Sequence, residues 1–367
     1  MIKKIRLMRP YISFKDVNDD FLDVFKNGIF TRGKYLENFN DQIRKFLEVK
    51  NVFLMTSATT SLSMCLKLLD IKKGDEVIIS DFSWPATVNV VEDLGAKPVF
   101  ADISLETYNM LPEELEKKIT KKTRAIIFVD SLGNPSGIDK IKYICKQRKI
   151  PLIEDAACAI GSSINKLKCG SISDLTCFSF HPRKLICAGE GGAITTNNRK
   201  WSEILKVKLQ HGAKGLKGMG LNFIDYGYNY RFTELQSIMS SKQLRKINII
   251  IKSRNKIRLI YIKELSKLDF VAQKIDKNVF FNNQTIAFKM KNNRIRDGLI
   301  KFLKKNNIEA TIGYYSLSNT TYYKKKYHSE QKNSKILQDT TIALPCYEKI
   351  DIKTVIKKIN LFIQNQK

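Results

Sequence analysis

The sequence is poor in the residues that build metal centres. It has three histidines, His181, His211 and His328, and its seven cysteines contain no Cys-x-x-Cys pair. Structural zinc needs close-spaced ligands of those types, so no metal is expected, and the scattered thiols read as buried and reduced. Long apolar runs are missing too. Nothing approaches the roughly 20 residues that span a bilayer, and Met1 to Lys15 has no stretch resembling a signal peptide. No membrane partner is expected, and a cytoplasmic location is. Acidic residues are scarce: 36 Asp and Glu stand against 64 Lys and Arg, a net charge of +28. The imbalance is uneven, with 28 basic and 9 acidic residues in 241–367. Such an excess suits a lysine-rich solvated surface or anionic partners such as phosphorylated small molecules. No aromatic–basic interleaving or nucleic-acid motif accompanies it, so nucleic acid is not an expected partner.

What is present supports a sizeable core. Hydrophobic residues make up 43% of 367 and aromatics 10%, enough for one large or two ordinary domains. Apolar residues at helical spacing predict helices over 18–27 and 35–47, with Thr31-Arg32-Gly33 as a turn between them. Strands are expected over 52–55, 76–80, 98–102, 124–129 and 151–154, with helices over 62–69, 88–94 and 138–148. This alternation indicates a mostly parallel sheet covered on both faces. A long helix is expected from Thr233 to about Leu268. The expected division is a large domain with an N-terminal arm, 1–245, and a small basic α/β domain, 246–367.

Several loops at strand ends carry chemistry. Thr56-Ser57-Ala58-Thr59-Thr60-Ser61 joins a strand to a helix, where backbone N–H groups and hydroxyls can hold a phosphate or merely cap the helix. Trp84 follows a strand, where open α/β sheets bind ligands, and is either a packed anchor or an aromatic shelf. Asp155 closes a buried strand, as a helix N-cap or as partner to a cation. Residues 175–192 set Ser179 five positions before Lys184 and end in Gly189-Glu190-Gly191-Gly192, an arrangement suited to a lysine beside a phosphate.

With these motifs in order, the chain resembles the DegT-type aminotransferases over nearly its whole length. The likeness includes Thr31-Arg32-Gly33, Gly74-Asp75-Glu76-Val77-Ile78, Gly95-Ala96-Lys97-Pro98-Val99-Phe100, Ile153-Glu154-Asp155-Ala156-Ala157 and Phe178-Ser179-Phe180. It continues through Lys184, Gly189-Glu190-Gly191-Gly192, Asn229-Tyr230-Arg231 and Leu344-Pro345. The resemblance implies a fold type I aminotransferase architecture and pyridoxal 5′-phosphate as cofactor. Lys184 would bond to the cofactor aldehyde and shuttle protons, Asp155 would pair with the ring nitrogen, and Trp84 would stack on the ring. Ser57, Ala58, Thr59 and Ser179 would hold the phosphate, with Asn229 reaching it from a neighbouring subunit, so a homodimer with shared sites is implied. Arg6, Arg9, Arg183 and Arg231 are candidate contacts for an anionic substrate.

Three positions depart from the family pattern, one of them Arg183, beside the lysine, where relatives often carry a neutral residue. Ala58 stands where Gly is usual, which keeps the backbone N–H. Cys158 stands beside the cofactor hydroxyl where Gln or His is usual, and a thiol is a weak hydrogen-bonding group. Relatives with His in place of the lysine are dehydratases; Lys184 favours transamination, and His181 reads as structural. The implied reaction moves an amino group from L-glutamate to a phosphorylated keto-carbohydrate, foremost a nucleotide-linked keto-deoxy sugar in surface-glycan biosynthesis. A small phosphorylated ketone such as dihydroxyacetone phosphate, giving serinol phosphate, is the alternative acceptor. A non-catalytic basic binding or regulatory protein on the same fold is the reading from another class.

Overall fold

In the computed structural model, which describes residues 4–366, seven strands form the central sheet: β1 (Asn51–Met55), β2 (Glu76–Ser80), β3 (Lys97–Ala101), β4 (Thr123–Val129), β5 (Leu152–Asp155), β6 (Leu175–Ser179) and β7 (Gly192–Thr196). Their order is β3-β2-β4-β5-β6-β7-β1. Pairing is parallel from β3 through β6 and antiparallel on both sides of β7. Six strands therefore run one way, and their C-terminal ends share one edge. The inner strands are apolar on both faces; Ile78, Ile126 and Phe128 lie in one core layer while Val77, Ile79 and Ile127 lie in the other. This is the mixed, mostly parallel, helix-covered sheet expected of the sequence.

Helices α1 (Asn18–Asn27) and α2 (Lys34–Leu47) follow their apolar spacing; Phe39, Ile43 and Leu47 bury one face of α2. The Thr31-Arg32-Gly33 turn has a specific task. Gly33, Tyr35 and Leu36 donate backbone N–H groups to the buried Glu234 carboxylate at 3.0, 2.9 and 3.2 Å, where a negative charge also suits the helix N-terminus. A Cβ on Gly33 would come within 2.8 Å of that carboxylate.

Two expectations are corrected. Helix α3 spans Ala58–Leu68, starting four residues before the predicted 62. The single long helix is two, Glu234–Leu244 and Ile247–Leu265, followed by a 3-10 turn at Ser266–Leu268. No glycine or proline marks the break, beside which Lys246 is held by Asp16 at 2.6 Å.

The C-terminal part carries its own antiparallel sheet: Val271–Ala272, Ile286–Lys289, Thr341–Leu344 and Thr311–Ile312, in that spatial order. Helices Asn293–Lys305 and Ile352–Gln364 pack on it through Leu299, Leu303, Val355 and Ile359. The N-terminal arm joins this layer, since Ile5 pairs with Ile308 and is buried in its core.

Candidate active site

The shared C-terminal edge of the sheet opens into a cavity of about 730 Å3, within the usual range for small-molecule sites. Ser57, Ala58, Thr59, Trp84, Asp155, Cys158, Ser179, Arg183 and Lys184 all line it. Residues predicted from sites scattered over more than a hundred positions thus meet at one place.

The anion end is built by α3. Ser57 is its N-cap: its hydroxyl accepts the Thr60 N–H at 3.1 Å, and the Thr60 hydroxyl accepts the Ser57 N–H at 3.1 Å. This reciprocal cap leaves the N–H groups of Ala58 and Thr59, at the first two helical positions, without intrahelical acceptors. They carry the partial positive charge of the helix end toward the cavity. Capping and anion binding are therefore compatible here. Gly192 makes the geometry possible, because a Cβ there would sit 2.5 Å from the Ser57 carbonyl carbon and 2.7 Å from the Ala58 nitrogen.

Asp155 lies at the end of β5, buried to 6% exposure. No helix follows it, so the N-cap alternative is discarded; residues 157–161 are turn. Its carboxylate accepts the Thr87 hydroxyl at 2.9 Å and the Ala157 N–H at 3.2 Å, and Ser83 supports Thr87 at 2.9 Å. Burial pushes the Asp155 carboxyl above its ordinary range, against the lowering effects of Thr87, Ala157 and Lys184. A buried carboxylate held this way calls for a cationic partner.

Lys184 sits on a turn after β6, half-buried, with its Nζ 3.0 Å from Cys158 Sγ. His181 shapes that turn. Its carbonyl accepts the Lys184 N–H at 2.8 Å and its Nδ1 accepts the Arg183 N–H at 3.2 Å, while burial lowers its pKa. Trp84 is 55% exposed at the mouth of the cavity, edge-on to Tyr315 with centroids 5.8 Å apart.

The arginines divide. Arg183 lines the cavity, whereas Arg6 and Arg9 point to solvent and the arm instead lines it with Leu7 and Met8. Docking Ile5 into the C-terminal core turns its neighbour Arg6 outward. Arg231, half-buried, and Asn229, exposed, lie outside this chain's cavity. Sequence reading missed Tyr314, whose hydroxyl is 2.9 Å from Cys158 Sγ, and the Ser83–Thr87 support of Asp155. The Ser-x-x-x-Thr spacing at 83–87 offered a faint signal for the second; nothing local announced the first.

The residues fit pyridoxal phosphate on the structure's own evidence. An unpaired helix N-terminus suits its phosphate, a buried carboxylate in need of a cation suits its ring nitrogen, and a primary amine suits its aldehyde. Comparison with known proteins agrees. The sequence profile of the DegT/DnrJ/EryC1/StrS aminotransferase family matches residues 13–360. A GDP-perosamine synthase from Vibrio cholerae is 34% identical over 78% of each chain. PseC of Helicobacter pylori, an aminotransferase involved in the biosynthesis of pseudoaminic acid, superposes with TM-score 0.92 at 25% identity over 99% of this chain and 100% of its own. A Streptococcus pneumoniae protein assigned as a sugar aminotransferase and solved in its PLP form shares the fold, with TM-score 0.93 at 22% identity over 99% of this chain and 99% of that one.

Proposed function

The chain belongs to the DegT/DnrJ/EryC1/StrS aminotransferase family and is a pyridoxal phosphate-dependent transaminase, and from that premise we propose that it aminates a nucleotide-linked keto-deoxy sugar with L-glutamate as donor. The observation that carries this reading is the convergence of Lys184, Asp155 and the α3 N-terminus on one cavity. The relatives that act on nucleotide sugars support it: besides the Vibrio cholerae enzyme, a UDP-linked amino-sugar transaminase of Campylobacter jejuni is 28% identical over 91% of this chain and 90% of its own. The product would serve surface-glycan biosynthesis. The 730 Å3 cavity is also lined by Gln284, Thr311, Ile312 and Tyr315, none of them assigned to the cofactor, which supports room for a carbohydrate.

Bound pyridoxal phosphate supplies an aldehyde that condenses with amines and a ring that accepts electrons. The chain's own groups do the rest. The N–H groups of Ala58 and Thr59, with Ser57 and Ser179, anchor the phosphate. Asp155 holds a proton at the ring nitrogen, oriented by Thr87 and Ala157. Trp84 covers one ring face. Lys184 Nζ would be the amine that bonds to the cofactor aldehyde and, once released, would take up and return a proton as general base and acid. Asn229 and Arg231 act across a homodimer interface, and the division at residue 245 separates the cofactor-binding part from a smaller basic domain.

The test has two arms. Purified protein should take up pyridoxal phosphate with a visible absorbance that borohydride abolishes, and Lys184→Ala should lack it, with turnover down at least about 10³-fold. Glutamate should then bleach the band, and a nucleotide-linked 4-keto sugar should restore it. Restoration by dihydroxyacetone phosphate and by no nucleotide sugar would replace the proposed acceptor.

A further inference from the structure

Lys184 Nζ has one hydrogen-bond partner among the described residues, the Cys158 sulfur at 3.0 Å. A thiol is a weak hydrogen-bonding group, so alone it would fix an amine poorly. Here the sulfur is held from the other side, 2.9 Å from the Tyr314 hydroxyl.

Tyr314 does not depend on Cys158 for its own place. Before it, Gly313 donates its N–H to Thr341 Oγ1 at 3.2 Å and packs so closely that a Cβ would meet that oxygen at 2.5 Å. After it, Tyr315–Ser316 pairs with Phe82–Ser83. Beyond that, Ser316 Oγ and Ser318 N–H both donate to the buried Asp81 carboxylate at 2.7 Å. The phenol ring packs edge-on against Phe82 at 5.8 Å. The backbone on both sides is clamped, so the phenol is the fixed end of the link and the thiol is the end being placed.

We propose that Tyr314 is a positioning residue for the active-site lysine: its hydroxyl fixes the Cys158 sulfur, and the sulfur sets the direction of the Lys184 amine. The C-terminal part of the chain thereby reaches the reacting amine through two hydrogen bonds. Burial pushes the Tyr314 phenol well above its ordinary range, with Cys158 and Asp155 adding to the effect. It therefore remains an O–H donor at any working pH. Asp155 and Cys158 are the ionisable groups that face it; Lys184 lies one bond further on.

The inference rests on Lys184 as the cofactor lysine, and the experiment separates the two. The visible band of cofactor-loaded wild type, Tyr314→Phe, Cys158→Ala and the double variant is titrated against pH, and the rate of cofactor uptake by each apoprotein is measured. Tyr314→Phe should move the midpoint by about 0.5–1 pH unit, the size one hydrogen bond carries, and slow uptake several-fold. Cys158→Ala should shift it equally, and the double variant no further, because both cut the same link. An unchanged midpoint in Tyr314→Phe, or shifts that add in the double variant, overturns the proposal. Should Tyr314→Phe not fold, Cys158→Ala carries the test: an unchanged midpoint there overturns it equally. Wild type that never takes up cofactor removes the lysine assignment itself, and this inference with it.

Discussion

At the scale of single residues, the most unusual pair is Asp130 and Glu154, two buried carboxyl groups that face each other beside Cys169 with all three ligand atoms within 4.8 Å. Glu154 Oε2 is well served, accepting from Gly170 N–H at 3.3 Å, Ser173 at 3.1 Å and Thr176 at 2.8 Å. Glu154 Oε1 and both Asp130 oxygens have no protein partner. A proton on Asp130, donated toward Glu154 Oε1, satisfies two of those three oxygens, and burial together with the Glu154 charge pushes Asp130 well above the carboxylate range. A group whose folded pKa is raised contributes stability that is present below its unfolded value and lost as pH rises through the folded value. Wild type should therefore lose melting temperature across the pH window that opens above the ordinary carboxylate range. Asp130→Asn, which offers a donor that does not titrate, should hold its midpoint over that window. Thermal melts at several pH values check this; parallel curves for the two proteins would mean that Asp130 does not carry the proton.

At the scale of elements, the site depends on how β7 meets α3. A methyl group at Gly192 would collide with backbone on both sides of the Ser57–Ala58 peptide, and backbone cannot turn aside as a side chain can. Gly192→Ala should shift the start of α3, weaken cofactor affinity at least about tenfold by dislodging the phosphate, and cost about 1–3 kcal/mol of stability. Equilibrium cofactor titration and chemical unfolding measure the two effects; an affinity unchanged from wild type would mean that the α3 N-terminus does not hold the phosphate. The same elements show what the sequence made legible. Glu76–Ser80 and Ile138–Arg148 match their predicted ranges because each has a strong apolar pattern that its core uses directly. The first turn of α3 has no such pattern, being Ala, Thr, Thr and Ser, so the helix was expected to start later. That Lys184, Asp155 and Trp84 would share one cavity was legible because each lies at or just beyond the C-terminal end of a sheet strand. Tyr314 was not, since its partner lies 156 residues away and the contact exists only once the C-terminal sheet has docked. The break before Ile247 is likewise a matter of tertiary contacts rather than of a local breaker.

At the scale of the molecule, one hairpin presents apolar side chains that a lone chain does not bury. The hairpin of Ala213–Lys217 and Gly220–Phe223 projects with Leu216 at 74%, Met219 at 105% and Phe223 at 62% exposure. Its base is rigid, because Gly212 and Gly227 approach each other so closely that a Cβ on Gly227 would meet the Gly212 nitrogen at 2.4 Å. Exposed apolar side chains on a fixed arm suit burial against another protein surface. Asn229 and Arg231 follow directly, outside their own chain's cavity. If the hairpin seats on a second copy, those residues are delivered to the partner's phosphate and substrate. Leu216→Asp with Leu221→Asp should then convert a dimer to a monomer by light scattering, with cofactor affinity falling as well. Complementation makes the argument independent of that variant's folding. Lys184→Ala and Asn229→Ala subunits should each load poorly alone. In a mixed dimer, the site that combines Lys184 of one chain with Asn229 of the other is intact. Dissociating, mixing and reassociating the two variants should therefore restore roughly a quarter of the wild-type sites, the statistical yield of random pairing. Failure to restore any, with mixed dimers present by mass spectrometry, would mean that Asn229 serves its own chain.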